Sequence, residues 1–180
     1  MNAKAVFMKF INVEIKAKCF HPEKVEAFLL NNKADFKGTD VQKDIYFNVP
    51  AGRLKLRQGN IENNLIFYKR NDQKGPKQSD FHLVAVPEPG RMESLLTEAL
   101  GIKVTVEKKR KIFYLGNIKV HLDEVPGLGN FLEIEASNIS KPEITVEELR
   151  TQCADLMQHF NIKDEDLIEN SYSDMLLEKY

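Results

Sequence analysis

The chain has 180 residues, 42% of them hydrophobic and 29% charged, with a formal net charge of −1 at pH 7. That balance suits one ordinary globular domain and excludes a disordered or fibrous chain. The near-zero charge also excludes a global basic field that would recruit nucleic acid or an anionic membrane, so any anion site must come from local clustering.

Residues 1–10 include Lys4 and Lys9, hold too short an apolar run for a signal segment, and are expected to form a flexible N-terminal stretch. No later run approaches membrane-spanning length, and the expectation is a cytoplasmic protein. Asn12 to Phe20 alternates polar and apolar residues, which predicts a strand with Asn12, Glu14, Lys16 and Lys18 on one face and Val13, Ile15, Ala17 and Cys19 on the other. Pro22 suits a first helical turn, and Val25, Phe28 and Leu29 recur at helical spacing up to about Asn31. Strand-like runs follow at Lys43 to Val49, Arg53 to Gln58, Leu65 to Arg70 and Phe81 to Val86, with short spacers that favour antiparallel neighbours. The polar stretch Asn71 to Ser79, with Gly75-Pro76 inside it, reads as a surface loop.

A second helix is expected from Pro89 or Arg91 to Leu100, stopped by Gly101. Strands are then expected at Val104 to Tyr114, Ile118 to Val125 and Phe131 to Ala136, with Gly116-Asn117 as a tight hairpin. Pro126 to Asn130 contains two glycines but no GxxxxGK[ST], so it reads as a turn and not as a phosphate loop. Thr145-Val-Glu-Glu148 is a capping box opening a helix to Phe160, and a further helical stretch begins near Asp164 or Ser173. Ser171 to Leu177 either plugs one end of the sheet or packs as a terminal amphipathic helix, and packing is the expectation. Cys19 and Cys153 lie far apart with no CxxC, which predicts reduced, buried thiols.

Which residues share a strand face carries the chemistry. Arg53, Lys55 and Arg57 oppose Leu54 and Leu56; Lys119, His121 and Asp123 alternate with Val120 and Leu122; Glu133 and Glu135 alternate with Leu132 and Ile134. Two arrangements satisfy this pattern: a sandwich whose charged faces meet water, or a closed sheet with a charged lumen. In the second, acids on the first and last strands and bases between them suit a divalent metal with a polyphosphate. Carboxylates are hard ligands for Mg²⁺ or Mn²⁺, and linked phosphates need cations at fixed positions.

Asn12-Val-Glu-Ile-Lys16 resembles the ExExK signature of the CYTH superfamily, the triphosphate tunnel metalloenzymes. The resemblance continues through Asp44 to Phe47, Arg53 to Arg57, Tyr68-Lys69, Lys108 to Arg110, His121 to Asp123 and Phe131 to Glu135. It implies an α+β fold: a closed antiparallel β-barrel, commonly eight-stranded, with a charged lumen and helices packed outside, as a single domain over 1–180. By the same matching, Glu14, Glu133, Glu135 and Asp123 are implied as metal ligands, with Asp123 also cast as an orienting carboxylate. Lys16, Glu14 and Asp123 are implied as catalytic, and Lys18, Arg53, Lys55, Arg57, Lys69, Lys108 and Arg110 as phosphate-binding.

The cofactor implied is Mg²⁺ or Mn²⁺, and the partner is a triphosphate such as ATP, in a homodimer, with no nucleic acid and no membrane. The activity implied is that of a class IV adenylyl cyclase, converting ATP to cyclic AMP and pyrophosphate. The alternatives are a triphosphatase acting on inorganic, nucleoside or thiamine triphosphate, and a non-catalytic triphosphate-binding module. The chain departs from the signature at Asn12, where a neutral amide stands in place of the first glutamate and weakens one metal position. His121 reads as a polar tunnel residue in preference to a catalytic base.

Overall fold

The computed structural model describes residues 11–69 and 75–179, the side chains of 77–80 excepted. The expectations for residues 1–10 and for the middle of the polar loop lie outside that range. Eight strands and four helices follow the order β1 (Asn12–Lys18), α1 (Pro22–Asn31), β2 (Asp35–Phe47), β3 (Arg53–Gln58), β4 (Asn64–Lys69), β5 (Lys77–Ala85), α2 (Pro89–Leu100), β6 (Ile102–Leu115), β7 (Ile118–Val125), β8 (Gly129–Ser137), α3 (Val146–His159) and α4 (Tyr172–Leu177). The fold is α+β, with one curled antiparallel sheet in the strand order β1-β5-β4-β3-β2-β6-β7-β8. β1 meets β8 from Asn12↔Ser137 to Lys18↔Phe131, and meets β5 over the shorter run Asn12↔Ser79 to Glu14↔Lys77.

Local chemistry sets most boundaries. Pro22 opens α1, and Val25 and Leu29 form its buried stripe. Thr145 Oγ1 accepts the Glu148 N–H while the Glu148 carboxylate accepts the Thr145 N–H, so α3 begins with the capping box its sequence specifies. Gly101 ends α2 at φ +71°, and Gly116 turns the β6–β7 hairpin at φ +63°. Two expectations need correction. β2 starts at Asp35, far upstream of Lys43, because β6 pairs with it along its whole length through a register shift at Phe36/Gly38. β5 starts at Lys77, inside the stretch read as loop.

The apolar halves of the strands face outward under helices. Val13, Ile15, Val120, Leu132 and Ile134 pack with Val25 and Leu29 of α1 and with Leu149, Cys153 and Leu156 of α3. Ile45, Phe47 and Leu56 pack with Met92, Leu96 and Leu100 of α2. Both cysteines are free and buried. The charged halves face the concave side and are withdrawn from water: Lys16 is 6% exposed, Arg57 7%, Lys108 3% and Arg110 2%. A solvated charged sheet would leave them open, so the sandwich alternative is excluded.

At one end of the concave side the inward positions turn apolar: Tyr46, Val106, Val125 and Phe131 close around Tyr172, with Met175 and Leu176 against them. Helix α4 therefore inserts into that end of the sheet. Ser171 to Leu177 thus packs as a terminal helix, and its Tyr172 also reaches the cavity.

Candidate active site

Period-two geometry brings charged side chains from six strands onto one inner surface. Six cations and five carboxylates line a cavity there: Lys16, Lys55, Arg57, Lys108, Arg110 and Lys119, with Glu14, Asp44, Glu62, Glu133 and Glu135. Its volume is about 150 Å³. That is small beside the roughly 300–1,000 Å³ usual for ligand sites, because facing side chains reach across and pair.

The pairs form two groups. Asp44 gathers the first: Arg57 donates Nε to Oδ1 at 2.9 Å and Nη2 to Oδ2 at 3.1 Å, Lys108 Nζ lies at 2.6 Å and Lys55 Nζ at 3.3 Å. Arg57 Nη1 also reaches Glu62 at 2.8 Å, and Glu62 holds Lys119 as well. Asp40 fixes this arrangement from behind by accepting the N–H groups of Ile61 and Glu62. Burial alone would push the Asp44 carboxyl up, but Arg57, Lys108 and Lys55 overcome it and hold the group well below the usual carboxylate range. Burial pulls Lys108 down to about 7 against the attraction of Asp44, with Arg57 and Arg110 adding to the fall.

Glu133 gathers the second group. It accepts Arg110 Nη2 at 2.6 Å, pairs with Lys16 Nζ at 3.0 Å, and has His121 Nδ1 at 3.4 Å. The same Nδ1 lies 3.6 Å from Glu135, and Glu135 faces Glu14 across the β1–β8 pairing. Burial pushes Glu133 up, but Lys16 and Arg110 hold it well below normal. For Glu135, burial wins over Lys119 and, with Glu133 and Glu14 nearby, raises it to about 7. Burial next to Arg110 lowers His121 to about 3, leaving a neutral imidazole.

Glu133, Glu135 and His121 each offer a ligand atom, all within 4.8 Å of one another. Asn12 Oδ1, on the same cavity, is a buried carbonyl oxygen without a hydrogen-bond partner among the described residues. Carboxylates, an amide oxygen and a neutral imidazole fit a divalent cation, with the imidazole better suited to Mn²⁺ than to Mg²⁺.

Of the residues singled out in the sequence, Glu14, Lys16, Lys55, Arg57, Lys108, Arg110, Glu133 and Glu135 come together on the cavity. Four do not. Lys18 lies past the enclosed part of β1 and is exposed, lining a groove beside α1 instead. Lys69 is exposed on the outer face, because Tyr68 occupies the inward position of β4. Arg53 pairs with Asp174 of α4 at 2.9 Å, off the cavity. Asp123 is buried behind Arg110, its oxygens taken by Arg110 Nε at 2.6 Å, by Arg110 Nη2 and by the Tyr172 hydroxyl at 2.8 Å. Both oxygens of Asp123 are thus engaged in holding Arg110 and Tyr172.

Sequence reasoning missed Asp44, Glu62, Lys119 and Tyr172 as site residues. Asp44 and Lys119 were within reach, since each sits on the inward parity of a recognised strand. Glu62 hangs on a loop with no periodic signal. Tyr172, whose ring lies 3.6 Å beneath Lys16 Nζ, depends on the insertion of α4.

Known proteins share this architecture. A protein of Methanocaldococcus jannaschii named "Putative adenylate cyclase" is 28% identical, over 92% of this chain and 98% of that protein. The structure of the PH1012 protein from Pyrococcus horikoshii superposes with a TM-score of 0.75 at 24% identity, over 91% of this chain and 98% of that one. A "putative adenylate cyclase" structure from Vibrio parahaemolyticus reaches 0.76 at 19% identity, over 93% and 98%. The CYTH domain pattern matches residues 11–172, which span the whole sheet and reach the tyrosine beneath Lys16, and the chain belongs to the CYTH domain family.

Proposed function

We propose that the protein is a metal-dependent enzyme acting on a triphosphate, with the class IV adenylyl cyclase reaction, ATP to cyclic AMP and pyrophosphate, as its activity. The carrying observation is the adjacency of two buried groups: Arg57, Lys108 and Lys55 around one carboxylate, and Arg110 and Lys16 beside the Glu133–Glu135–His121 donors. The name of the M. jannaschii relative, matched over nearly its full length, supports the cyclase over hydrolysis. We read the curled sheet as a closed tunnel, a reading supported by the β1–β5 pairing.

Glu14, Glu133, Glu135 and His121 would hold the metal, with Asn12 contributing its free carbonyl oxygen. When bound, a divalent ion supplies charge neutralisation on the triphosphate oxygens and Lewis acidity. Lys55, Arg57, Lys108 and Arg110 bind the phosphates, exchanging part of their pairing with Asp44, Glu62 and Glu133 for the substrate. Asp123 and Tyr172 keep Arg110 aimed inward, and α4 excludes water from its end of the site. Among the described residues no helix is long and apolar enough to cross a membrane.

Product analysis tests the proposal. Purified protein with ATP, tripolyphosphate or thiamine triphosphate and Mg²⁺ or Mn²⁺ is expected to give cyclic AMP and pyrophosphate from ATP, lost in Lys16→Ala. Orthophosphate without cyclic product would make it a triphosphatase. No turnover at all would leave a binding module, with Asn12→Glu as the reversion to make.

A pH dependence follows from Glu135. Its folded pKa of about 7 exceeds the ordinary 4.5, so the metal-free protein keeps a proton there that the unfolded chain releases. That contribution to stability is present below pH 4.5 and is lost as pH rises to about 7. Metal binding needs the deprotonated form, so Mn²⁺ affinity measured by calorimetry is expected to rise with pH up to about 7, with proton release, and to level off above it. A pH-independent affinity would remove Glu135 from the metal site.

A further inference from the structure

Lys119 is a cavity cation to which the binding of phosphate gives no task. On β7 it lies directly opposite Glu135 of β8 in the strand register. Opposite charges in that relation ordinarily pair across the ladder. Here the Lys119 Nζ is bonded instead to Glu62 Oε1, a carboxylate from the loop that joins β3 to β4. Burial alone would lower the Lys119 pKa, but attraction to Glu135 and to Glu62 leaves it raised, so the side chain is a cation with two carboxylates in reach.

The placement of Glu62 decides between them. Its loop, residues 59–63, has no regular structure, yet it is bonded firmly to β2. Asp40, 0% exposed, accepts the Ile61 N–H at 2.8 Å and the Glu62 N–H at 3.0 Å. Asn60 accepts the Val41 N–H at 2.6 Å and donates to the Thr39 carbonyl at 3.1 Å. Asn63 closes the loop on itself, accepting the Gly59 N–H at 3.1 Å and donating to the Gly59 carbonyl at 2.9 Å. A Cβ at Gly59 would lie 2.5 Å from Asp40 Oδ1, so glycine is what lets strand and loop approach. The Glu62 side chain is then fixed through Oε2, which accepts Arg57 Nη1 at 2.8 Å and Gln42 Nε2 at 3.2 Å. Its other oxygen is left for Lys119.

We infer that Glu62 is a positioning residue for the metal centre: it holds Lys119 away from Glu135 and so leaves that carboxylate available to a divalent cation. The inference rests on the reading of Glu133, Glu135 and His121 as metal donors. Without Glu62 the ammonium turns to its ladder partner, Glu135. A metal ion would then have to break a buried ion pair before it could bind, and such pairs are costly to break. Among the described residues Glu62 makes no hydrogen bond to any of the three donors, so its effect on the metal runs through Lys119. The loop braced on Asp40 thus serves a carboxylate that it never touches.

Calorimetric titration of Mn²⁺ into the metal-free wild type, Glu62→Gln, Glu62→Asp, Lys119→Met and the double variants tests this. Glu62→Gln is expected to weaken Mn²⁺ binding by about 10-fold or more, the usual loss when a partner behind the metal ligands is removed. Glu62→Asp keeps the charge but withdraws it by one methylene, and is expected to lose nearly as much. In the Lys119→Met background, either substitution at Glu62 is expected to change the affinity by no more than about twofold, because the side chain it restrains is gone. An equal loss in both backgrounds would mean that Glu62 acts on the ion by its charge alone, and unchanged affinity in Glu62→Gln would mean that Lys119 never competes. Either result overturns this inference while leaving the metal site standing. Melting curves identify a variant that does not fold, and Glu62→Asp carries the comparison if glutamine is not tolerated. A wild type that binds no Mn²⁺ overturns the metal reading and this inference with it.

Discussion

Replacing Asp44 with asparagine is expected to destabilise the metal-free protein by about 3–5 kcal/mol, the cost of leaving buried charges without their partner. Asp44 is 2% exposed and is the shared anion of Arg57, Lys108 and Lys55. Asparagine keeps its shape, so packing is preserved while three cations lose their common counter-charge. A domain of this kind has about 5–15 kcal/mol of stability in all, so the loss should show as a large fall in melting temperature. The same substitution makes a second, opposite prediction. In the wild type a triphosphate must displace Asp44 from the cations, whereas in Asp44→Asn it supplies the missing charge. Tripolyphosphate should therefore raise the melting temperature of the variant by more than that of the wild type. Equal stabilisation of both proteins would mean that the cations around Asp44 do not meet phosphate.

Glu133→Gln is expected to lower turnover by a factor on the order of 10²–10³, the usual loss when a group that stabilises transition-state charge is removed. Glu133 sits where the two halves of the site meet, accepting Arg110, pairing with Lys16 and sharing His121 with Glu135. Glutamine keeps the volume and one acceptor but loses the charge that a divalent ion needs. Mn²⁺ affinity should fall by more than about 10-fold, as it does for lesser disturbances of metal sites. Activity that survives with normal Mn²⁺ affinity would place the metal elsewhere.

Much of this was legible in the sequence because strands write their two faces in alternate letters. Arg53 to Gln58 is β3 to the residue, and Pro22 to Asn31 is α1 to the residue. The cavity-lining Glu14, Lys16, Lys55, Arg57, Glu133 and Glu135 share such faces, whereas Lys108 and Arg110 entered through the family resemblance. The misses have physical causes. Asp35 to Gln42 lacks an apolar alternation, since its inward Asp40 and Gln42 are buried polar groups that hold a loop, Asp40 by accepting backbone N–H groups and Gln42 by reaching Glu62. Lys69 was implied by the resemblance at Tyr68-Lys69, but parity gives the inward position to Tyr68. The roles of Glu62 and Tyr172 depend on where a loop and a terminal helix fold back, which no local pattern encodes.

The central claim is that the buried cations bind a triphosphate together with a metal, and one titration tests it most directly. Tripolyphosphate is titrated with and without Mn²⁺ into the wild type, Arg57→Gln and Lys69→Gln. The account predicts saturable, Mn²⁺-dependent binding to the wild type, weakened by about 10-fold or more in Arg57→Gln, where a buried bidentate donor is lost. It predicts a change of no more than about twofold in Lys69→Gln, where the charge is exposed. Binding that is independent of Mn²⁺, or that falls equally in the two variants, would contradict it.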